Sequence, residues 1–240
     1  MGGTRPEKCV LCGDPCVKTH IVPRAFAHDI RQNEKHLVVG YSNRNGWTHS
    51  QSGISEYLLC GAHEKALLFS DTYGVDFARR ASALSANFHE AGNLIFVPNP
   101  KPDFLGKFAL SVIWRHVVSS QGKALGLSLG THRKPIEDFI FRGMDWPYKL
   151  LLLRPSESLR KERIDIISMP SRGRFLGLNS WRFTVPGVAV VALVNNQAFP
   201  SKFEEFAASK DPSPIIDLGP LDIEQDPGSR YIFDRIKRQR

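Results

Sequence analysis

The chain has 240 residues, and its 42% hydrophobic and 23% charged residues are typical of a globular protein that buries its own core. A net charge of +8 favours a polyanionic partner such as nucleic acid. The N-terminus has no apolar signal segment, and the longest apolar run, 187–194, is too short to cross a bilayer. We therefore expect a cytoplasmic protein with no membrane partner.

The first 70 residues predict a small module of strands and short helices. A strand is expected over 17–22, ended by Pro23, and a helix over 24–32. Residues 36–50 predict a hairpin that turns at Asn45 and Gly46. Segment 55–60 then leads into a helix that begins at His63.

Helical patterns follow over residues 71–145. Helices are expected over 76–92, over 101–120 with its start at Pro102, and over 132–143. Phe108, Val112 and Trp114 fall near helical spacing and predict a stripe that faces the core. Arg115 lies on the same apolar helix, where an unpaired charge is costly to bury. We expect it to pair with an acidic residue, with a phosphate as the alternative.

The last third of the chain predicts strands and then an extended segment. Residues 146–200 form a β-rich region, in which strands are expected over 148–154, 164–170, 181–185 and 187–194. Residues 201–240 predict an extended C-terminal segment, with an acidic tract over 204–226 and a basic end.

Two short motifs predict a metal site. Cys9 and Cys12 are separated by two residues, and Cys60 and His63 repeat that spacing around Gly61. Zinc prefers four Cys or His ligands in a tetrahedron, and a gap of two residues lets both side chains of a pair converge on one ion. Cysteines in a reducing compartment also favour metal binding over disulfides. The four residues therefore predict a structural Zn²⁺ site.

The spacing allows one alternative ligand set. In it, Cys16 and His20 replace Cys60 and His63 beside the first cysteine pair, which gives a local C-x2-C-x3-C-x3-H pattern. That set would leave the second pair without a role. We favour the first set, in which Cys16 is a free and buried thiol.

The residues around His20 resemble the HNH (His-Asn-His) endonucleases. Zinc-stabilised members of that family run C-x-x-C, then D-H-I-x-P on a strand, then N-L-x-x-L-C-x-x-C-H before a helix. Here H-I-V-P over 20–23 matches the first strand, and L-C-G-A-H over 59–63 matches the second pair. The resemblance implies a treble-clef (ββα) module in which His20 activates a water molecule and Glu64 holds a catalytic Mg²⁺ or Mn²⁺. Phosphate contacts would come from basic neighbours, namely Lys18, Arg24 and Lys65.

Three positions depart from the HNH pattern. Thr19 replaces the usual Asp, Ser55 or Glu56 stands near the Asn position, and Glu64 replaces the last His. A closer resemblance covers about residues 9–150. It is to a widespread, mostly uncharacterised bacterial and phage family that reads K-S-H-I-I-P, G-L-R-E-x-L-L-C-x-x-C-E and L-S-x-L-W-R. In that family Ser or Thr before the His and Glu after the last zinc ligand look normal, so the resemblance implies that Thr19 and Glu64 are family traits.

The sequence thus predicts an α+β protein with an N-terminal zinc-bound HNH-like module (1–70), central helices (71–145), an antiparallel β region (146–200) and a C-terminal segment (201–240). We favour a metal-dependent nuclease acting on DNA more than on RNA, with a role in phage–host conflict. The alternative is a catalytically inactive zinc module that binds nucleic acid or inhibits or recruits a host protein. The missing Asp and Asn favour the alternative, and the His20 motif favours the nuclease.

Overall fold

The computed structural model describes most of the first 208 residues. The described residues are 8–31, 37–40, 47–50, 53–86, 97–153, 166–175, 177–199, 201, 204 and 207–208. Over these ranges the protein mixes α-helices with antiparallel sheets, which confirms the predicted α+β class. None of the helices in this part of the chain is both long and apolar enough to span a membrane.

Two small sheets and a short helix form the N-terminal part. Strands β1 (Val17–His20) and β4 (Ser55–Leu59) pair antiparallel, and helix α1 (Arg24–Arg31) follows β1. Strands β2 (Leu37–Gly40) and β3 (Trp47–Ser50) form the predicted hairpin, although its turn lies outside the described residues. The first strand is shorter than the predicted 17–22.

Helix α2 (Gly61–Ala86) is a single long helix where the sequence predicts two elements. It begins two residues before the predicted start, crosses position 70, and includes the first part of the helix predicted over 76–92. The predicted end at Gly92 lies outside the described residues. Gly74 is close-packed inside this helix, because a Cβ built there would lie 2.3 Å from Cγ of Phe108.

Helix α3 (Pro102–Val118) lies in the centre of the core. Every residue from 108 to 118 is buried, as is typical of a helix packed on all sides. Its start at Pro102 and the core position of its apolar stripe are both confirmed. Helices α4 (Ser120–Ala124) and α5 (Arg133–Arg142) follow, with a 3-10 turn (Gly130–His132) between them.

The last sheet has four antiparallel strands in the order β5-β8-β7-β6. They are β5 (Lys149–Leu153), β6 (Ser168–Phe175), β7 (Leu178–Val185) and β8 (Val188–Leu193). The strand predicted over 164–170 is displaced towards the C-terminus, because β6 continues through an Arg-Gly-Arg segment that carries no apolar pattern. The C-terminal segment predicted over 201–240 contacts this sheet at Ala208. The Ala208 amide donates to the Leu150 carbonyl of β5 at 2.8 Å.

One apolar cluster joins these parts. The rings of Phe26 and Phe108 lie 6.1 Å apart, and those of Phe108 and Phe183 lie 6.0 Å apart. Because the three residues come from α1, α3 and β7, the predicted 1–70, 71–145 and 146–200 regions share a hydrophobic core.

Candidate metal centre and the strand beside it

The first cysteine pair lies on a tight turn. The Gly13 amide donates to the Cys9 carbonyl at 2.9 Å, and the Cys9 amide donates to the Asp14 carbonyl at 2.8 Å. Gly13 has φ of +81°, a conformation that glycine adopts without steric cost. The turn therefore directs the side chains of Cys9 and Cys12 to one side.

The second pair spans the junction of a strand and a helix. Cys60 directly follows β4, and His63 lies in the first turn of α2. The Val10 amide donates to the Leu58 carbonyl at 3.1 Å, which attaches the cysteine turn to the end of β4. This backbone bond brings together two motifs that are about fifty residues apart in sequence.

The four side chains converge at metal-binding distances. Nδ1 of His63 lies 3.2 Å from Cys60 Sγ, 3.6 Å from Cys9 Sγ and 3.7 Å from Cys12 Sγ, and the Cys12 and Cys60 sulfurs are 3.7 Å apart. All four ligand atoms lie within 4.8 Å of one another. A zinc tetrahedron with ordinary Zn–S and Zn–N bonds has edges of about 3.5–3.8 Å. The group is therefore close enough to hold a metal ion and is compatible with structural zinc.

The cysteines have the chemistry that ligation needs. All four cysteines of the chain are free thiols, and Cys9 and Cys60 are buried. Burial raises the pKa of Cys9, but backbone hydrogen bonds from Leu11, Cys60 and Cys12 outweigh it and lower that pKa to about 6. The Cys9 thiolate, which is the form that binds zinc, is therefore accessible near neutral pH. In Cys12 the backbone hydrogen bond at Asp14 lowers the pKa, but burial and side-chain hydrogen bonds with Asp14, Cys9 and Cys60 outweigh it and raise that pKa to about 12. The proton that Cys12 retains must therefore be released when a metal binds.

The alternative ligand set is not assembled. Within the described part of the chain, the close group of potential ligands comprises Cys9, Cys12, Cys60 and His63, and neither Cys16 nor His20 belongs to it. Cys16 packs against the hydrophobic core as a half-buried residue.

Glu64 contacts strand β1 through Thr19. The Thr19 hydroxyl donates to Oε2 of Glu64 at 2.9 Å, and Thr19 is fully buried. Burial raises the pKa of the Glu64 carboxyl, while the Thr19 hydrogen bond and the nearby Arg115 charge oppose that rise. Thr19 and Glu64, the two positions that the HNH resemblance would align with metal ligands, thus lie in direct contact and bond to each other.

The His20 imidazole is kept neutral. Burial lowers its pKa to about 4, and the positive charges of Lys18, Arg24 and Arg115 lower it in the same direction. Its Nε2 is buried and has no hydrogen-bond partner. Among the described residues, no hydrogen bond joins this ring to Glu64, and the two belong to no second group of three or more potential metal ligands.

Arg115 fixes the backbone of His20. Its Nη1 donates to the His20 carbonyl at 2.9 Å and to Asp71 at 2.8 Å, and its Nη2 donates to Asp71 at 2.8 Å and to Ser111 Oγ at 3.2 Å. Nε donates to the Ser111 carbonyl at 3.3 Å. All five guanidinium N–H groups are therefore used. The predicted acidic partner is confirmed, and it is Asp71.

The predicted phosphate-contacting residues lie on the surface. Lys18, Arg24 and Lys65 are exposed and form no ion pair with another described residue. Lys18 and Arg24 lie near enough to His20 to act on its charge, and Lys65 directly follows Glu64 on α2.

Sequence reasoning did not predict the surroundings of two polar residues near this strand. Glu56, opposite Thr19 in the β1–β4 register, accepts hydrogen bonds from the amide and hydroxyl of Ser120, at 2.7 and 2.8 Å. His116 is buried, its Nδ1 has no partner, and burial lowers its pKa to about 4 against the opposing effect of Glu56. The sequence signal for His116 was its place beside Arg115 on an apolar helix.

A scan against protein-family models and searches of curated proteins and of solved structures found no match for this chain. The resemblance to HNH enzymes therefore depends on the motifs around His20 and Cys60.

Proposed function

We propose that this protein is an HNH-like, metal-dependent nuclease built on a zinc-held module. The observation that carries the proposal is the state of His20, a neutral imidazole whose Nε2 has no partner, beside the exposed cations Lys18 and Arg24. An unpartnered ring nitrogen can serve as a proton acceptor, and exposed cations attract a phosphate backbone. Because Nε2 is buried and the pKa of the ring is lowered to about 4, the proposal requires that substrate binding open Nε2 to a water molecule and raise this pKa towards neutral.

The proposed module consists of β1, β4 and α2 around one zinc ion. Cys9, Cys12, Cys60 and His63 would be its ligands, in an arrangement of the treble-clef type. Four protein ligands leave no open coordination position, so this ion would be structural. Its role is to hold the His20 strand against the helix that carries Glu64.

In the proposed reaction His20 is the general base. Nε2 takes a proton from a water molecule whose oxygen attacks the phosphorus, the bond from phosphorus to the leaving oxygen breaks, and that oxygen takes a proton from solvent. Glu64 would ligate a Mg²⁺ or Mn²⁺ ion, which supplies Lewis-acid stabilisation of the developing charge. Since one carboxylate is available, the remaining ligands would be substrate oxygens and water, as is usual for Mg²⁺.

The hydrogen bonding of Glu64 favours a second function, binding without catalysis. Its carboxylate already accepts a hydrogen bond from the buried Thr19, and no close group of further ligands surrounds it among the described residues. A module with this arrangement would bind nucleic acid, or a host protein, without cutting. Lys18, Arg24 and Lys65 would then be the contact residues.

Cleavage assays separate the two functions. Plasmid, single-stranded DNA and RNA are incubated with the zinc-loaded protein in Mg²⁺, in Mn²⁺ and without added metal. The nuclease proposal predicts metal-dependent cutting, DNA before RNA, that His20→Ala and Glu64→Ala each reduce by about 100-fold or more. His28→Ala is the matched control, because His28 is an exposed histidine on the neighbouring helix α1. Equal cutting by wild type and His20→Ala would end the catalytic proposal.

If the wild type cuts no substrate, gel shifts at increasing salt test the binding function. Binding that weakens steeply with salt, and weakens further in Lys18→Ala and Arg24→Ala, supports a phosphate-contacting surface. Binding that does not respond to salt would argue against phosphate contacts at this surface.

A further inference from the structure

The β-rich half of the protein contains a cleft of about 320 Å³ that lies apart from the metal centre. It lies between the β6–β7 pair, the segment after β8 and the turn that precedes α5. The residues that matter to the argument are polar: Ser128, His132, Arg172, Asn179, Asn196 and Gln197.

Arg172 supplies a positive charge in this cleft. It is exposed and stands opposite Trp181 in the β6–β7 register, with its guanidinium carbon 6.0 Å from the centre of the indole ring. Stacking of this kind restrains an arginine side chain without using its N–H donors. In the described part of the chain, no hydrogen bond or ion pair occupies those donors, so they are free for a ligand.

The rim of the cleft is held by amide hydrogen bonds. The Asn179 amide donates to Oε1 of Gln197 at 3.1 Å, and Nδ2 of Asn195 donates to the Asn179 carbonyl at 2.6 Å. The Gln197 amide donates to Oδ1 of Asn195 at 2.8 Å. Two of these bonds use side-chain oxygens as acceptors, and the third uses the Asn195 side-chain NH₂ as its donor. The Gln197 side-chain NH₂ remains as a donor. The rim is therefore preorganised and rich in donors.

The charge of the lining selects the ligand. No carboxylate lines the cleft, and Arg172 is its one permanently charged residue among those described. Free donors with a single guanidinium match the oxygen atoms of an anion, and Arg is well suited to phosphate. The volume is at the small end of ligand sites. We propose that this cleft binds a small phosphomonoester, of the size of a sugar phosphate or a mononucleotide.

Calorimetric titration of the full-length, zinc-loaded protein tests this site. The probes are ribose 5-phosphate, inorganic phosphate and uncharged ribose. We expect both phosphates to bind and ribose not to bind, with the ester tighter if the polar rim contacts the sugar. Arg172→Ala should weaken phosphate binding by about tenfold or more, and Gln197→Ala should weaken the ester more than inorganic phosphate.

Arg174→Ala is the matched control. Arg174 is exposed on the same strand but does not line the cleft, so its removal changes the net charge equally and should leave the affinity unchanged. The proposal is overturned if no phosphate binds, if ribose binds as well as its phosphate, or if the two arginine variants weaken binding equally. Unchanged thermal unfolding of Arg172→Ala excludes loss of folding as the cause.

Discussion

Replacement of Arg115 by Met tests whether a buried ion pair fixes the strand that carries His20. Arg115 is 1% exposed at its side chain and Asp71 is 17% exposed. Met retains much of the apolar volume of arginine but removes all five donors. The substitution would leave the Asp71 carboxylate partly buried without its partner, and the His20 carbonyl without this donor.

The expected loss of stability follows from that burial. Removing one partner of a buried ion pair costs about 3–5 kcal/mol. Because Asp71 keeps some contact with solvent, we expect the lower end, about 3 kcal/mol. Arg115→Lys keeps the charge but cannot make the two-pronged contact with Asp71, so its cost should be intermediate.

Urea unfolding of the zinc-loaded protein at neutral pH measures these costs as changes in the free energy of unfolding. Arg79→Met is the control, since Arg79 pairs with Asp29 but is 56% exposed, and surface pairs contribute about 0–1 kcal/mol. The reasoning is refuted if Arg115→Met is no more destabilising than this control. The double variant with Asp71→Asn should recover part of the loss, because the unpaired carboxylate is then removed.

Three further results are expected. The pKa of His116 is lowered to about 4, so the unfolded state binds a proton at higher pH than the folded state does. The free energy of unfolding should therefore decrease as pH falls from about 6.5 towards 4. This decrease should be smaller in His116→Gln than in the wild type. Gly74→Ala should cost about 1–3 kcal/mol by collision with Phe108, measured against Gly61→Ala, which has open space and should change stability little. Thr19→Val should cost about 1 kcal/mol in unfolding experiments, through the lost hydrogen bond to Glu64.

The metal ligands could be predicted from sequence because each pair is local. A turn with two intervening residues fixes the relative positions of the Cys9 and Cys12 side chains. The end of a strand followed by a helix fixes the relative positions of the Cys60 and His63 side chains. The choice between the two ligand sets depends on a contact that local sequence does not encode, the backbone bond between Val10 and Leu58 that brings the motifs together.

Contacts between distant segments could be predicted in kind but not in detail. An acidic partner for Arg115 followed from the cost of a buried charge, yet Asp71 lies 44 positions away and the His20 carbonyl 95 positions away. The sequence predicted two elements where α2 is one helix, and Gly74, a residue of low helix propensity, lies between them. The close contact of Gly74 with Phe108 explains why glycine is there. Strand β6 was displaced because its Arg-Gly-Arg segment forms a strand through pairing with β7 and not through an apolar pattern.

Metal analysis of the purified protein tests the central claim, that Cys9, Cys12, Cys60 and His63 hold one zinc ion. Wild type and Cys16→Ala should each contain about one zinc per chain, whereas Cys60→Ala should lose the metal and much of its stability. Loss of zinc from Cys16→Ala with retention in Cys60→Ala, or a wild-type protein without metal after expression in zinc-supplemented medium, would contradict the account.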